Sequence, residues 1–177
     1  EFIDNRGEFI IKECVLEVDI VQQSKIFDAE QSQITVFKRF NQAKRSVTQL
    51  KNNNFFCREL NEYGGKLSAE NCHYKGVSCS IYSGRFNWST QSKFALSESL
   101  FLDERATSTF KNTHIQVAQR IKILGAAHFE QAEVETDSLE SGTHIINING
   151  SEVAGRHTLR LMAGAVLKES TILGGHI

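Results

Sequence analysis

The amino-acid sequence predicts an all-β fold, a single-stranded β-solenoid (β-helix) with roughly 19–22 residues per coil, and three observations carry that reading. The 177 residues contain no proline, where average usage of ~5% would give about nine. Proline has no amide donor and is excluded from paired central strands, so its absence fits a chain hydrogen-bonded to neighbours along most of its length. A six-residue template recurs at a constant step of 19. Apolar residues around the copies alternate with period two, as in Ile146/Ile148 and Leu159/Leu161, which is a strand signature.

The template copies are Phe110–Ile115, Phe129–Val134, Ile148–Val153 and Leu167–Ile172. Each reads large apolar, two polar, small, polar, aliphatic. Three columns result: Phe110/Phe129/Ile148/Leu167, Thr113/Ala132/Ser151/Ser170 and Ile115/Val134/Val153/Ile172. A repeat this short cannot hold two helices and a turn, because ordinary helices average about 11–12 residues. One coil per repeat stacks each strand on its equivalent in the next coil at ~4.8 Å and piles like residues into ladders. Further matches support the stacking. Ile121/Ile123 recur as Leu159/Leu161, Ala127 as Ala165 and Leu139 as Ile177. Upstream the template loosens into Leu67–Cys72 and Ile11–Leu16, with apolar pairs Ile34/Val36, Cys79/Ile81, Leu100/Leu102 and Ile121/Ile123. The whole chain, 1–177, therefore reads as one solenoid domain of roughly eight or nine coils, most regular over 100–177 and looser over 1–99.

The doublets Ala127-x-Phe129-x-x-Ala132-x-Val134 and Ala165-x-Leu167-x-x-Ser170-x-Ile172 resemble pentapeptide repeats. The glycine-punctuated end, Ala163-Gly164 through Gly174-Gly175, is similar to the coils of bactofilins and filamentous-haemagglutinin-type β-helices. The five-residue step is not kept around the whole coil, and the resemblance covers about 70 residues well. It implies an architecture and transfers no functional residue.

Residues 34–51 allow a second reading. Val36, Phe40, Ala43, Val47 and Leu50 step by four, three, four and three, which is a helix seam. Lys38, Arg39, Lys44, Arg45 and Lys51 add five positive charges with no acid among them. A basic amphipathic helix would contact anionic lipid or an acidic partner groove. The alternative is another coil, with Ile34 and Val36 as the paired strand, Phe40 in the large column, Ala43 in the small column and the charges solvated.

Composition narrows the function classes. A net charge of −1 excludes a chain-wide basic footprint, so no nucleic-acid partner is expected. No apolar run approaches the ~18–20 residues of a membrane-spanning helix, and Glu1–Glu8 lacks the pattern of a signal peptide. Membrane contact is expected only through 34–51. Cys14, Cys57, Cys72 and Cys79 lack zinc-knuckle spacing. Cys14, Cys72 and Cys79 fall on positions the repeat assigns to the interior, where thiols act as core fillers. Disulfides remain the alternative. Core thiols point to a reducing compartment, the cytoplasm rather than the cell surface or secretion.

The histidines read as surface residues beside turns, with His157 and His176 stepped by 19. Asp103, Glu104, Asp137 and Glu140 do not repeat in register, so neither a paired-acid site nor a bound cofactor or metal is expected. Tyr63, Tyr74, Tyr82 and Trp88 cluster in the middle coils as a candidate aromatic patch. The expected function is non-enzymatic: a rigid rod for structure or protein interaction, self-associating through its C-terminal coil edge. A surface adhesin that binds glycan, or a fragment of a β-helix carbohydrate-active enzyme, are the alternatives.

Overall fold

A computed structural model describes residues 1–162 and 164–174. The chain forms one 16-stranded parallel sheet wound into a β-solenoid of about nine turns, and no helix occurs among the described residues. The strands are β1 (Phe2–Asn5), β2 (Glu8–Lys12), β3 (Val15–Gln23), β4 (Ile26–Glu30), β5 (Gln33–Gln42), β6 (Val47–Lys51), β7 (Asn54–Glu70) and β8 (His73–Ser89). They continue as β9 (Ser92–Lys111), β10 (Thr113–Ile123), β11 (Ala126–Glu130), β12 (Glu133–Ser141), β13 (Ile146–Asn149), β14 (Glu152–Arg160), β15 (Ala165–Lys168) and β16 (Thr171–Gly174). The middle strands β7, β8 and β9 run through positions that two successive strands share in other coils.

Register pairing extends the predicted columns through the whole chain. The aliphatic column runs Leu16/Ile34/Phe55/Tyr74/Phe94/Ile115/Val134/Val153/Ile172. The large column runs Ile11/Ala29/Leu50/Ala69/Trp88/Phe110/Phe129/Ile148/Leu167. Steps along the first column are 18, 21, 19, 20 and 21 residues before settling at 19. The shortest coil is thus just below the predicted 19–22. The upstream copy at Ile11–Leu16 is in register, whereas Leu67–Cys72 is two residues off: Ala69, Cys72 and Tyr74 hold the template positions. Ile34/Val36 also lie in different columns from Cys79/Ile81. The match of Leu139 to Ile177 lies outside the described residues.

Residues 34–51 form β5 and β6, not a helix. Ile34, Val36, Phe40, Thr48 and Leu50 point inward and are fully or nearly fully buried. Four-three spacing arises here because a bulge between Val36 and Arg39 and the turn after Gln42 each reset the two-residue alternation. Phe40 does face the core, but in the Val21/Phe40/Leu60 column rather than the large one. Ser46, rather than Ala43, is buried in the turn.

One corner repeats in every coil. Glu13, Gln31, Asn52, Asn71, Gln91, Asn112, Gln131, Gly150 and Glu169 all adopt left-handed backbone, with φ between 48° and 55°. That conformation is unfavourable for residues with a Cβ, and hydrogen bonds to the next coil offset it. The Gln31 amide donates to the Lys51 carbonyl at 2.9 Å, and the Gln131 amide to that of Asn149 at 2.9 Å. The next residue is the small column: Cys14/Ser32/Asn53/Cys72/Ser92/Thr113/Ala132/Ser151/Ser170. Its polar side chains accept amides from the preceding coil, as Ser92 Oγ does from Cys72, Ser151 Oγ from Ala132 and Ser170 Oγ from Ser151. Small size and a lone pair explain the residue types at this position.

Candidate interaction surfaces

Because side chains alternate across a strand, every inward column has outward neighbours one residue away. On the side built by β2, β4, β6 and the ends of β7, β8 and β9, the outward residues Lys12, Glu30, Lys51 and Glu70 follow each other in register, then Lys111 and Glu130 after an interruption at Ser89. Lys12 Nζ lies 3.3 Å from Glu30 and Lys111 Nζ 2.8 Å from Glu130. Alternating charge at a coil spacing gives Glu30 and Lys51 opposite neighbours on both sides and the other four ions one each.

The five predicted basic residues fall on three successive segments. Lys38 and Arg39 lie on β5, Lys44 and Arg45 in the turn after it, and Lys51 at the end of β6. Lys38 Nζ is 3.5 Å from Asp19, and Arg39 Nε donates to Glu59 at 2.8 Å. Lys51 stands in the alternating column between Glu30 and Glu70. The acids beside Lys38, Arg39 and Lys51 come from neighbouring coils, about 20 residues away in the chain, so the segment reads as purely basic in sequence.

The aromatic group divides in two. Tyr74 and Trp88 are fully buried, with Tyr74 stacked 4.9 Å from Phe94. The Tyr74 hydroxyl donates to the Cys57 carbonyl over Gly76, where any Cβ would collide with it. Tyr63 and Tyr82 instead stack on the outside at 5.1 Å and 9°, and Phe101 closes the row 6.2 Å beyond Tyr82. Phe101 escaped sequence reasoning because its neighbours Leu100 and Leu102 make it look like one more core residue.

The same regions hold the perturbed ionisable groups. Burial pushes the Cys57 thiol up to about 12 and the Cys79 thiol and Tyr74 phenol well above their ordinary values. Burial also raises the Glu62 carboxyl to about 7, against the opposing pull of the Gly64 and Gly65 amides. Cys57, Cys72 and Cys79 are buried free thiols, as core fillers should be, and no disulfide joins the four cysteines. Cys14 is exposed, contrary to its predicted interior place: its Sγ donates to the Lys12 carbonyl at 2.9 Å just as the buried Cys72 Sγ does to that of Glu70, but on the first described coil only one neighbouring coil covers it.

A groove of about 440 Å³ crosses β8, β9, β10, β12 and β14. Its floor includes Gly76 and Ala95, and Lys75, Gln116, Glu135, Asp137 and Arg156 line it. Missing side-chain volume at Ala95 creates the depression; longer neighbours above and below form its walls. Asp137 lies 3.9 Å from His157, whereas His176 lies outside the described residues. Asp103, Glu104 and Glu140 are strand residues at other positions. The groove's carboxylates, amide and cations can hydrogen-bond polar groups, with no nucleophile–base pair apparent among them. Comparisons with family models, curated proteins and solved structures return no match.

Proposed function

We propose that this chain is a non-enzymatic structural or protein-interaction scaffold, a rigid rod that presents outward ladders to a protein partner and adds to another copy through its C-terminal coil edge. The observation that supports the reading is the column paired in register coil after coil from Leu16 to Ile172, the arrangement a stiff spacer would need. Similarity of the C-terminal coils to bactofilin-like coils supports the same architecture. Val166, Leu167 and Leu173 are each about half exposed on β15 and β16. An apolar strand edge templates further pairing, and a second copy is the occupant proposed here.

Light scattering over a tenfold concentration range tests the assembly. Mass should rise with concentration and fall back in a Leu167→Lys, Leu173→Lys variant. A monomer throughout the range would end the self-association part of the proposal.

The groove and the outward Tyr63/Tyr82/Phe101 row, of which Tyr63 is exposed and the other two half-buried, support a second reading, glycan binding. Amide-shift titration with neutral and acidic oligosaccharides separates the two readings: shifts confined to Lys75, Gln116 and Glu135 would favour glycan, and their absence the scaffold.

A further inference from the structure

One inward column changes chemistry along the rod. It reads Asn5/Gln23/Gln42/Glu62 and then Ile81/Leu102/Ile123/Ser141. The first four are buried, and Gln23, Gln42 and Glu62 are fully enclosed. Their side chains tie down the adjoining turn. Asn5 Nδ2 donates to Gln23 Oε1 and to the Ile26 carbonyl, and Gln23 Nε2 to the Val47 carbonyl. Gln42 Nε2 donates to the Ser46 and Lys66 carbonyls at 3.3 and 2.9 Å. Glu62 Oε1 accepts the Gly64 amide at 2.9 Å and the Gly65 amide as well.

Two buried oxygens are left over in this column: Gln42 Oε1 and Glu62 Oε2. They belong to residues paired directly in register. Rotating the Gln42 amide by half a turn only moves the mismatch, because Oε1 would then face the Ser46 and Lys66 carbonyls. Both oxygens are acceptors if Glu62 is ionised, and a single added proton resolves the mismatch.

We propose that Glu62 is carried as the neutral carboxylic acid, its Oε2 proton donated to Gln42 Oε1, and that loss of this proton releases the 62–65 corner of the solenoid. The released elements are the turn between the two halves of β7 and the Gly84 corner stacked on it. Gly65 sits against the Gln42 amide and the Ser46 carbonyl so closely that a Cβ would not fit, so the corner is tight only while the column is satisfied. Groups facing Glu62 do not supply a compensating charge. From β8 comes the Cys79 thiol, kept neutral by burial; from β5 the Gln42 amide; from the turn after β5, Ser46, with the Lys44 stem packed over Gly64. Burial is the dominant influence on the Glu62 proton, and the titration centre falls at about pH 7.

Two measurements test this on the intact chain. Carboxyl ¹³C spectra of glutamate-labelled protein should show Glu62 protonated at pH 5.5 and ionised by pH 8.5. Amide-exchange protection factors at Gly64, Gly65 and Gly84 should fall at least tenfold over the same range, while those at Val134 and Val153 stay level. Glu62→Gln should hold the corner protection constant with pH. Should that variant not fold, the wild-type carboxyl titration still decides. An ionised Glu62 at pH 5.5, or corner protection unchanged between pH 5.5 and 8.5, would overturn the proposal.

Discussion

The C-terminal coils and the N-terminal coils share one backbone plan and fill it differently. From Ile115 onward, the large, small and aliphatic columns hold like residues at a fixed step of 19. Before it, bulk moves between columns. Phe27 is followed by Ala29, whereas Thr48 in the next coil is followed by Leu50, and Ser108 three coils after that by Phe110. Tyr74 lends its hydroxyl to the space above Gly76. Each coil keeps roughly the same filling while individual ladders change, because a close-packed interior constrains total volume more tightly than identity at any one site. The N-terminal half also keeps a polar column where the middle coils have Ile81, Leu102 and Ile123. It can do so because the turns there offer carbonyls and amides to bind.

The contrast predicts effects of different size. The largest belongs to the regular half. Phe129, stacked on Phe110 at 5.3 Å and 2% exposed, should lose about 3–5 kcal/mol of stability on change to alanine. A loss under about 1 kcal/mol in denaturant melts would break the claim that this ladder is close-packed.

The second effect belongs to the N-terminal half and depends on pH. Glu62 has its folded value raised from 4.5 to about 7, so its contribution is fully present below 4.5 and is lost as pH rises to about 7. The magnitude should be about 3 kcal/mol, and Glu62→Gln should remove it. Urea melts at pH 4.5 and 8 of both proteins measure the difference, and equal pH dependence in the two would place the titrating group elsewhere.

A smaller effect tests what the halves share. Ser151→Ala removes the acceptor of the Ala132 amide and should cost about 1 kcal/mol. Ser32→Ala, which loses the acceptor of the Cys14 amide on the first coils, should cost no more. The smallest change comes from replacing Lys38, Arg39, Lys44 and Arg45 with Gln. Exposed ion pairs contribute roughly 0–1 kcal/mol each, so the far-UV spectrum should stay that of a β protein and the melting temperature nearly unmoved.

Legibility followed the same divide. The columns through Phe110, Thr113 and Ile115 were readable because residue type recurs with position. Leu67 and Phe40 were assigned to the wrong columns because large residues there trade places across a coil. The left-handed corner was nearly invisible: only Gly150 marks it, and the other eight positions carry Glu, Gln or Asn. Its signal was the fixed polar residue between the large and small columns. Glu62 drew no attention in the sequence because its burial depends on Gln42 and the turn glycines, which lie together only once the coils stack. The acids beside Lys38 and Arg39 were hidden for a similar reason, since Asp19 and Glu59 reach them from adjacent coils.

The central claim is that one register runs through both halves despite their different filling, and directed crosslinking in the irregular half tests it most directly. Gln49 and Ser68 pair across neighbouring coils with outward side chains, and Asn87 lies one coil further. With Cys14→Ser removing the exposed thiol, Gln49→Cys combined with Ser68→Cys should form a disulfide on mild oxidation, since neighbouring strands bring Cα atoms to about 5 Å. Gln49→Cys combined with Asn87→Cys should remain reduced, two coils being about 10 Å apart. Ready bridging of the second pair, with none in the first, would contradict the common register.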